Sequence, residues 1–403
     1  MQKTLKFQIQ AIIRCCMLTS NIQPSGRDED FLKIENLHLD FSVYQGTVQV
    51  LDGISLEMKK GEIFGIVGET GCGKTVTTRS IVRLLDANAK ITEGNISFEG
   101  SSNLIKYPEK QIEELRGKKI SFIFQEPMTA LNPTTKIGDQ IGESLLLHFH
   151  QDMIEKGINL LRYSKVIFSG LYEYFLRKEL EDPKSVIIKI AASLPMLKRY
   201  QDYPKLAARN ESINILKEVG MPSPESIALQ YPHELSGGMR QRVLIAIALA
   251  ANPDLIIADE PTTAVDVTTQ AKILRLLMNL RKERGTSILV ITHNLGLIAE
   301  ICDRVCVMYA GQISEIGDVV DIFNNPLHPY TRGLMNAIHY IGDEKEIEEI
   351  RGNVPILLHP PSGCRFHPRC DRAMKICQEK KPELHEIETG HKVYCWLYSS
   401  VVK

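Results

Sequence analysis

The sequence predicts an α/β fold with a mainly parallel central sheet. Short apolar runs that do not alternate with polar residues suit parallel strands buried on both faces. These runs are Ile63–Val67, Ile120–Phe124, Leu255–Ala258, Ile288–Ile291 and Val305–Met308. Helical stretches separate them, and the clearest are Lys74–Leu85, Gly238–Ala251 and Thr268–Arg284. Because strands alternate with helices, an α/β domain is the expected architecture.

The N-terminal part of the chain has a different pattern. Residues 1–30 are expected to form a poorly ordered extension. The apolar run around Ile12 and Ile13 is too short and too broken for a signal sequence. From Phe31 to Met58, apolar and polar residues alternate, with turn residues at Gln45-Gly46 and Asp52-Gly53. That pattern predicts an antiparallel β subdomain in front of the parallel sheet.

Composition and charge exclude some classes of function. The chain has 403 residues, 43% of them hydrophobic, and a formal net charge of -1. A near-neutral balance gives no electrostatic reason to expect a nucleic-acid partner. No stretch approaches the roughly 18 uninterrupted apolar residues of a membrane-spanning helix. We therefore expect any attachment to a membrane to run through a partner chain.

A glycine-rich motif follows the first apolar run. Residues 68–75 read GETGCGKT and open a predicted helix, which is the strand-to-helix context of a P-loop. Its glycines are Gly68, Gly71 and Gly73. Glycines let the backbone fold around phosphate oxygens, and the helix N-terminus directs N–H groups at them. We expect Lys74 to reach the β- and γ-phosphates of ATP and Thr75 to ligate Mg²⁺. The motif predicts a P-loop NTPase core; the alternative is a glycine-rich turn with a chance lysine.

An acidic pair follows another apolar run. Asp259 and Glu260 come directly after Leu255–Ala258. We expect the strand to deliver Asp259 to the Mg²⁺ shell and Glu260 to polarise the attacking water as general base. An acidic pair in this position is often only the polar exit of a strand, but its combination with the P-loop favours catalysis.

Gln125 and His293 follow two further apolar runs. The carboxyl ends of strands in a parallel sheet converge on the ligand crevice. We therefore expect Gln125 to bind Mg²⁺ or orient water, and His293 to hydrogen-bond the γ-phosphate. A lone Gln or His is more often structural; their position at the predicted site favours function.

A second glycine motif precedes the predicted helix Gly238–Ala251. Residues 235–239 read LSGGM and are followed by Arg240-Gln241-Arg242. The motif resembles the signature of ABC ATPases, and the order P-loop, signature, LIIADE is specific to that family. A helix N-terminus can hold an anion, which suits Ser236, Gly237 and Gly238 as phosphate ligands. Ser236 can serve as a helix N-cap at the same time.

The resemblance implies that two ATPase subunits sandwich two ATP molecules. In that arrangement the Ser236 hydroxyl and the two following glycines contact the γ-phosphate held by the partner subunit. The family pattern assigns Ala264-Val265-Asp266 to the loop across the dimer interface, with valine in place of the usual leucine. It also places an aromatic residue on adenine: Tyr44 fits best and Phe41 is the alternative, and either can equally be an ordinary strand residue.

Further stretches resemble the ATP-binding subunits of the oligopeptide/dipeptide (peptide/nickel) importers. They are Gln125–Pro133, Ile137–Ile141, Glu260–Ala264, Thr292–Gly296, Ile301–Val305, Val307–Gly311, His328–Gly333 and Pro361–Cys370. The resemblance implies a peripheral subunit at the cytoplasmic face of the membrane that couples ATP hydrolysis to peptide uptake. The implied partners are two transmembrane permease subunits, a second ABC ATPase subunit, identical or homologous, and indirectly an extracytoplasmic solute-binding protein. Nickel or another small solute stays open as cargo, and a non-transport ABC ATPase is less favoured.

Four of the nine cysteines lie close to the C-terminus. Cys364, Cys370, Cys377 and Cys395 follow the spacing C-x5-C-x6-C-x17-C. Four thiolates suit a [4Fe–4S] cluster or a tetrahedral zinc, and the lack of a C-x2-C pair disfavours zinc. The importers that the chain resembles can carry a [4Fe–4S] cluster on these cysteines, which implies a small metal-binding extension. Four free thiols are the alternative, and His367 is expected to be a surface or hydrogen-bonded residue.

These patterns predict the domain organisation. We expect residues 31–324 to form the ATPase domain, with a helical subdomain at about 126–250. Residues at about 148–209 are not part of the usual family pattern, and Ile154, Ile158, Leu161 and Ile167 in them suggest an atypical helical insertion. Residues 325–403 are expected to form the importer-type extension that carries the four cysteines.

Overall fold

The structure is a computed structural model that describes residues 31–164, 166, 168–263, 265–337 and 350–399. The expected N-terminal extension at 1–30, Ile167 and Ala264 lie outside the described residues. The chain divides into two compact units, and each is described by itself. The first contains the described parts of Met1–Glu113, Ile257–Glu260 and Leu277–Lys403, and the second contains those of Glu114–Ile256 and Pro261–Leu276.

The strands of the described residues are β1 (Leu32–Val43), β2 (Gly46–Met58), β3 (Ile63–Val67), β4 (Ala89–Phe98), β5 (Ile120–Ile123), β6 (Leu255–Asp259), β7 (Ser287–Ile291), β8 (Arg304–Tyr309), β9 (Gln312–Asp318), β10 (Leu384–Glu388) and β11 (His391–Tyr394). The helices are α1 (Lys74–Ile81), α2 (Glu109–Leu115), α3 (Pro127–Ala130), α4 (Ile137–His148), α5 (His150–Tyr163), α6 (Ser169–Glu181), α7 (Val186–Ser193), α8 (Asp202–Glu218), α9 (Pro224–Ile227), α10 (Gly237–Leu249), α11 (Val267–Arg284), α12 (Leu295–Ile301), α13 (Val319–Asn324), α14 (Pro329–Asn336) and α15 (Lys375–Glu379).

The main sheet of the first unit is mixed. Its strands follow the order β10-β11-β9-β8-β3-β7-β6. The central strand β3 pairs in parallel with β7 and with β8, whereas β8 and β9 pair in antiparallel fashion. Every residue of β3, β6 and β7 is buried, as expected for strands covered on both faces. The predicted parallel sheet is therefore confirmed at its centre, and antiparallel strands extend it on one side.

The C-terminal extension contributes to this sheet, which the sequence did not predict. Strand β11 pairs with β9 through Lys392 opposite Ile316 and Val393 opposite Glu315, and β10 pairs with β11 in turn. Val393 is fully buried. The residues after 325 thus belong to the same compact unit as the P-loop strand β3. The predicted boundaries between domains stay predictions.

A three-stranded antiparallel sheet with the order β2-β1-β4 forms the rest of the first unit's β structure. The turn predicted around Gln45-Gly46 is confirmed, because Tyr44 and Gln45 form the turn and Gly46 begins β2. The predicted turn at Asp52-Gly53 is wrong, because β2 continues through these residues. The pairing of β1 with β2 instead shifts its register here, between Leu37 and Leu39. Gly53, with φ at 68°, takes the left-handed conformation that such an irregularity requires.

The second unit is mostly helical. Helix α8 packs against α4 and α5. At Gly157 of α5, a Cβ atom would lie 2.8 Å from the backbone nitrogen of Pro204 in α8, so only glycine allows this close approach. The residues predicted to form a helical insertion are helical and enclose a small core of their own. Its buried members are Ile154, Ile158, Leu161, Tyr172, Phe175, Leu176, Ile188, Ala191 and Tyr200.

Candidate active site

The P-loop connects β3 to α1 in the first unit, as its sequence context predicts. At Gly68 the backbone φ is 153°, and a Cβ atom would clash with the Met308 carbonyl oxygen. Gly73 caps α1 with φ at 97° in the left-handed region. Glycine is required at both positions because a side chain is excluded at the first by contact and disfavoured at the second by backbone conformation. The loop therefore brings its backbone close to β8.

Lys74 is the first residue of α1, and its side chain folds back onto the loop. Its Nζ donates to the carbonyl oxygens of Gly68, at 2.7 Å, and Glu69, at 3.0 Å. Only 8% of the residue is exposed. The amine is thus held over the concave side of its own loop by backbone acceptors.

Thr75 and Asp259 join the two predicted halves of the site. The Thr75 hydroxyl donates to Asp259 Oδ1 at 3.2 Å, across 184 residues of sequence. Asp259 ends the buried strand β6 and is 2% exposed. Burial raises the pKa of this carboxyl, and the hydrogen bond from Thr75 opposes the shift. A hydroxyl and a carboxylate oxygen in contact are the donor set that Mg²⁺ prefers.

Glu260 and His293 are also in contact. The Nδ1 atom of His293 lies 2.8 Å from Glu260 Oε1, and the N–H of Glu260 donates to the Ile291 carbonyl at 2.8 Å. Glu260 has φ at 48°, a left-handed conformation that is unusual for a residue with a side chain. The His293 side chain is 64% exposed, whereas that of Glu260 is 14% exposed. The imidazole thus orients the carboxylate from the solvent side.

The signature motif lies in the second unit, at the start of α10. Ser236 is the N-cap of this helix, and its hydroxyl accepts from the Met239 N–H at 3.4 Å. At Gly238 a Cβ atom would lie 2.7 Å from the Thr269 methyl group. The N-cap interpretation of Ser236 is confirmed. Ser236 and Gly237 are exposed, so their polar groups are accessible to a ligand.

The remaining residues predicted for the site are Gln125, Tyr44 with its alternative Phe41, and Asp266. Gln125 follows β5 in the second unit. Tyr44 lies in the turn between β1 and β2 and is fully exposed, whereas Phe41 is a partly buried strand residue opposite Val48. Asp266 accepts from the N–H and hydroxyl of Thr269 and so caps the start of α11. These positions do not test the roles predicted for the residues.

The four C-terminal cysteines line one cavity in the first unit. The cavity is bordered by Cys364, Cys370, Cys377 and Cys395 together with His328, Pro329, Phe366, His367, Arg372, Trp396 and Leu397. Burial raises the pKa of the Cys364 thiol to about 12 and that of Cys395 to about 11. Within the described residues, no three or more His, Cys, Asp or Glu side chains are arranged to hold a metal ion. The four cysteines therefore lie around one cavity, but a metal-binding extension is not shown. His367 bonds through Nδ1 to the Cys364 carbonyl oxygen at 2.9 Å, as a hydrogen-bonded residue rather than a ligand.

Sequence reasoning missed two residues of the extension that contact the P-loop. Arg369 pairs with the Glu69 carboxylate, with NH1 to Oε2 at 2.8 Å. The Tyr330 hydroxyl accepts from the Glu69 N–H at 3.0 Å. Both lie in stretches that resemble the peptide importers, and this was the only signal that the sequence offered. A partner about 300 residues away is not visible in a local motif.

Two protein-family descriptions match the chain. The family described as ABC transporter matches residues 51–263, which run from β2 past Glu260. The family described as oligopeptide/dipeptide transporter, C-terminal region, matches residues 314–377, which include three of the four cysteines. No helix among the described residues is long and apolar enough to span a membrane.

Curated relatives and solved structures agree with these matches. The chain is 41% identical over 371 residues to the dipeptide transport ATP-binding protein DppD of Bacillus subtilis, covering 92% of this chain and 95% of that protein. It is 41% identical over 369 residues to the oligopeptide transport ATP-binding protein OppD of the same organism, covering 91% and 88%. A dimeric structure of MJ0796, a bacterial ABC transporter cassette, matches its fold with a TM-score of 0.52 at 24% identity, over 72% of this chain and 98% of that one.

Proposed function

The chain belongs to the ABC transporter family, among the ATP-binding subunits of oligopeptide and dipeptide importers, and from this premise we propose how its residues bind and hydrolyse ATP. The ATP-hydrolysing role itself follows from the family. The observation that carries the residue assignment is the hydrogen bond between Thr75 and Asp259. It joins the P-loop to the end of β6, which are the two halves of a nucleotide site in this class of fold.

In this proposal the P-loop holds the phosphates of ATP. The backbone of Gly68, Gly71 and Gly73 surrounds them, and Lys74 moves its Nζ from the loop carbonyls to the β- and γ-phosphate oxygens. Thr75 and Asp259 would hold Mg²⁺, with Gln125 as a further ligand or as a residue that orients water. When bound, Mg²⁺ supplies positive charge that stabilises the negative charge on the phosphate oxygens.

Glu260 acts as the general base. Its carboxylate takes a proton from the attacking water, and the contact with His293 Nδ1 at 2.8 Å keeps the carboxylate in one orientation. The Nε2 atom on the other side of the imidazole is then directed to the γ-phosphate. This arrangement allows one histidine to position both the base and the group under attack.

The signature residues complete the site of a second subunit. Ser236, Gly237 and Gly238 lie at the N-terminus of α10, a helix of 13 residues whose dipole favours an anion. We assign them to the γ-phosphate held by the partner subunit, and Val265-Asp266 to the dimer interface. Tyr44, which is fully exposed, is assigned to the adenine ring.

The transported solute and the partners follow from the relatives. Proteins named for dipeptide and oligopeptide transport are about 40% identical to the chain over most of its length, which favours peptides over nickel as cargo. We propose that the subunit works at the cytoplasmic face of the membrane. There it would pair with a second ATPase subunit and two transmembrane permease subunits, which receive solute from an extracytoplasmic binding protein.

Titration with a fluorescent ATP analogue tests the nucleotide site. Lys74→Ala should weaken binding by about a hundredfold, because a phosphate contact made by a charged donor is lost. Lys60→Ala is the matched control, since Lys60 contacts Glu99 at 3.3 Å and is outside the motif. Equal affinity of wild type and Lys74→Ala would contradict the assignment of the P-loop.

We further propose that the four C-terminal cysteines hold a [4Fe–4S] cluster. The support is that all four line one cavity together with apolar and aromatic side chains. Because a cluster of four irons and four sulfides is wider than one ion, its ligands do not have to meet at a single point, as zinc would require. When bound, such a cluster supplies a cross-link between Cys364, Cys370, Cys377 and Cys395 and thereby stabilises the extension.

Anaerobic purification followed by iron, sulfide and zinc analysis tests this proposal. About four irons and four sulfides per chain are expected for a [4Fe–4S] cluster, together with its visible absorption. Both should disappear in the Cys364→Ser/Cys370→Ser double variant and persist in Cys302→Ser, which changes a cysteine outside the cavity. Zinc, or no metal in wild type, would overturn the cluster while leaving the ATPase assignment intact.

A further inference from the structure

Glu69 is the second residue of the P-loop, and two residues of the C-terminal extension hold it in place. Its carboxylate accepts two hydrogen bonds from Arg369, at 2.8 Å from NH1 and 3.2 Å from NH2. Its backbone N–H donates to the Tyr330 hydroxyl at 3.0 Å. Side chain and main chain of the same P-loop residue are therefore fixed from outside the P-loop.

Arg369 is itself rigidly placed. Its Nε donates to the Arg351 carbonyl at 2.9 Å, and its NH2 donates to the Ile350 carbonyl at 3.3 Å. The guanidinium also lies over the ring of Tyr309, 5.6 Å from the ring centre. Only 6% of its side chain is exposed. A forked, fully engaged guanidinium of this kind fixes the orientation of a carboxylate in a way that a lysine cannot.

Tyr330 is equally constrained. It is fully buried and packs against Tyr309 and Phe366, with ring centres 4.7 Å and 5.4 Å away. Tyr309 is the last residue of β8, the strand that the P-loop approaches at Gly68. The aromatic cluster thus connects the extension to the same edge of the sheet that supports the loop. The Tyr330 hydroxyl can therefore fix the Glu69 N–H relative to β8.

The contacts of Glu69 reach the residue that binds phosphate. The Glu69 N–H that Tyr330 fixes shares its peptide with the Gly68 carbonyl, which accepts from Lys74 Nζ at 2.7 Å. The Glu69 carbonyl, in the next peptide, accepts from the same Nζ at 3.0 Å. A rotation of the Glu69 backbone would move this carbonyl and change the shape of the concave loop. Because the loop is expected to surround the phosphates, such a change would alter how well they fit and therefore the affinity for ATP.

We propose that Arg369 and Tyr330 are positioning residues of the nucleotide site, through which the C-terminal extension sets the affinity for ATP. The proposal rests on the assignment of residues 68–75 as the phosphate-binding loop. Arg369 acts by holding Glu69, with which its guanidinium forms two hydrogen bonds. Its effect therefore belongs to the binding of ATP and not to the chemical step, which Glu260 performs.

Steady-state hydrolysis and equilibrium binding of a fluorescent ATP analogue test the proposal. Arg369→Ala and Glu69→Gln should each raise the dissociation constant and the KM for ATP by about tenfold, with kcat changed by less than about twofold. Arg369→Lys should fall between wild type and Arg369→Ala, because one ammonium replaces only part of the fork. In the Arg369→Ala/Glu69→Gln double variant, the loss of ATP affinity should not exceed the larger of the two single losses, since both substitutions remove the same contact.

Three controls separate positioning from general damage. Lys375→Ala removes an exposed lysine from the same segment and should bind ATP like wild type. Glu69→Gln weakens the same contact from the P-loop side and changes no residue of the extension. Thermal unfolding without nucleotide checks that each variant is folded.

The possible outcomes are distinct. Wild-type KM in both Arg369→Ala and Glu69→Gln would overturn the proposal, as would losses that add in the double variant or a fall in kcat at constant KM. Failure of the wild-type protein to bind the ATP analogue would instead refute the nucleotide-site assignment. If Arg369→Ala does not fold, Glu69→Gln and Arg369→Lys decide the question.

Discussion

The P-loop and the C-terminal extension lie in the same compact unit, but the contacts that stabilise one region differ in kind from those that stabilise the other. Within the P-loop, the Lys74 amine bonds to carbonyl oxygens five and six residues away. In the extension, Arg365 reaches Gln49 across 316 residues, and His391 reaches Glu315 across 76. Contacts of the first kind are encoded in a short motif, whereas those of the second kind exist only in the folded chain. We therefore expect changes in the P-loop to act directly on ATP binding and changes in the extension to act on stability or, through Glu69, on affinity.

The largest effect is expected from Glu260→Gln. The amide keeps the size of the side chain and the contact with His293 but cannot accept a proton, so hydrolysis should fall by about a thousandfold. Affinity for ATP should stay near that of wild type, since Glu260 is not a phosphate ligand in the proposed site. Single-turnover hydrolysis and equilibrium binding measure the two effects separately.

Glu300→Gln is the control for this substitution, because Glu300 is an exposed residue of α12 in the same unit. It should hydrolyse ATP at the wild-type rate. With turnover blocked, Glu260→Gln should also accumulate an ATP-dependent dimer in size-exclusion chromatography if two subunits enclose the nucleotides. Normal hydrolysis in Glu260→Gln would refute the general-base assignment.

The same distinction between local and long-range contacts explains which features could be predicted from the sequence. The P-loop, the acidic pair at Asp259 and the signature could be predicted because each is a short segment whose geometry depends on its own residues. The strands β3, β6 and β7 could be predicted because burial on both faces demands unbroken apolar runs. The pairing of β11 with β9 could not, because β11 is a short strand whose buried and partly buried residues alternate, like any half-buried segment. The turn predicted at Asp52-Gly53 failed because glycine serves a strand irregularity as well as it serves a turn.

A smaller effect is expected from acid, and it concerns the extension. His328 is buried, its Nδ1 accepts from the Tyr330 N–H at 3.0 Å, and burial lowers its pKa to about 4. The Glu315 carboxylate partly offsets this decrease in the His328 pKa, whereas the positive charge of Arg332 adds to it. Between pH 6.5 and about 4 the unfolded chain binds a proton that the folded chain excludes, so stability decreases as pH falls. At pH 5 the loss relative to pH 7 should be about 2 kcal/mol.

The buried pair of His391 and Glu315 changes the stability in the opposite direction, because its contribution is lost as pH rises. The hydrogen bond to Glu315 raises the pKa of His391, so its contribution is complete below the unfolded value and is lost as pH rises through the folded one. Together the two histidines place the stability maximum of the extension near pH 6.5. Denaturant unfolding followed by the fluorescence of Trp396, the only tryptophan in the sequence, measures this dependence. His328→Gln keeps a hydrogen-bond acceptor but does not titrate, so equal acid sensitivity in wild type and His328→Gln would contradict the prediction.

The smallest effect on catalysis is expected from the helical insertion, which offers a third case beside the two regions compared above. Its core consists of its own side chains, from Ile154 to Tyr200, and the P-loop, Glu260 and His293 all belong to the other compact unit. Replacing residues 165–200 by a short Gly/Ser linker should therefore leave ATP hydrolysis within about twofold of wild type. Phe175→Ala, which empties part of this core, should destabilise the protein by about 3 kcal/mol without changing the rate. A folded deletion variant that no longer hydrolyses ATP would show that these residues are part of the catalytic domain and not an addition to it.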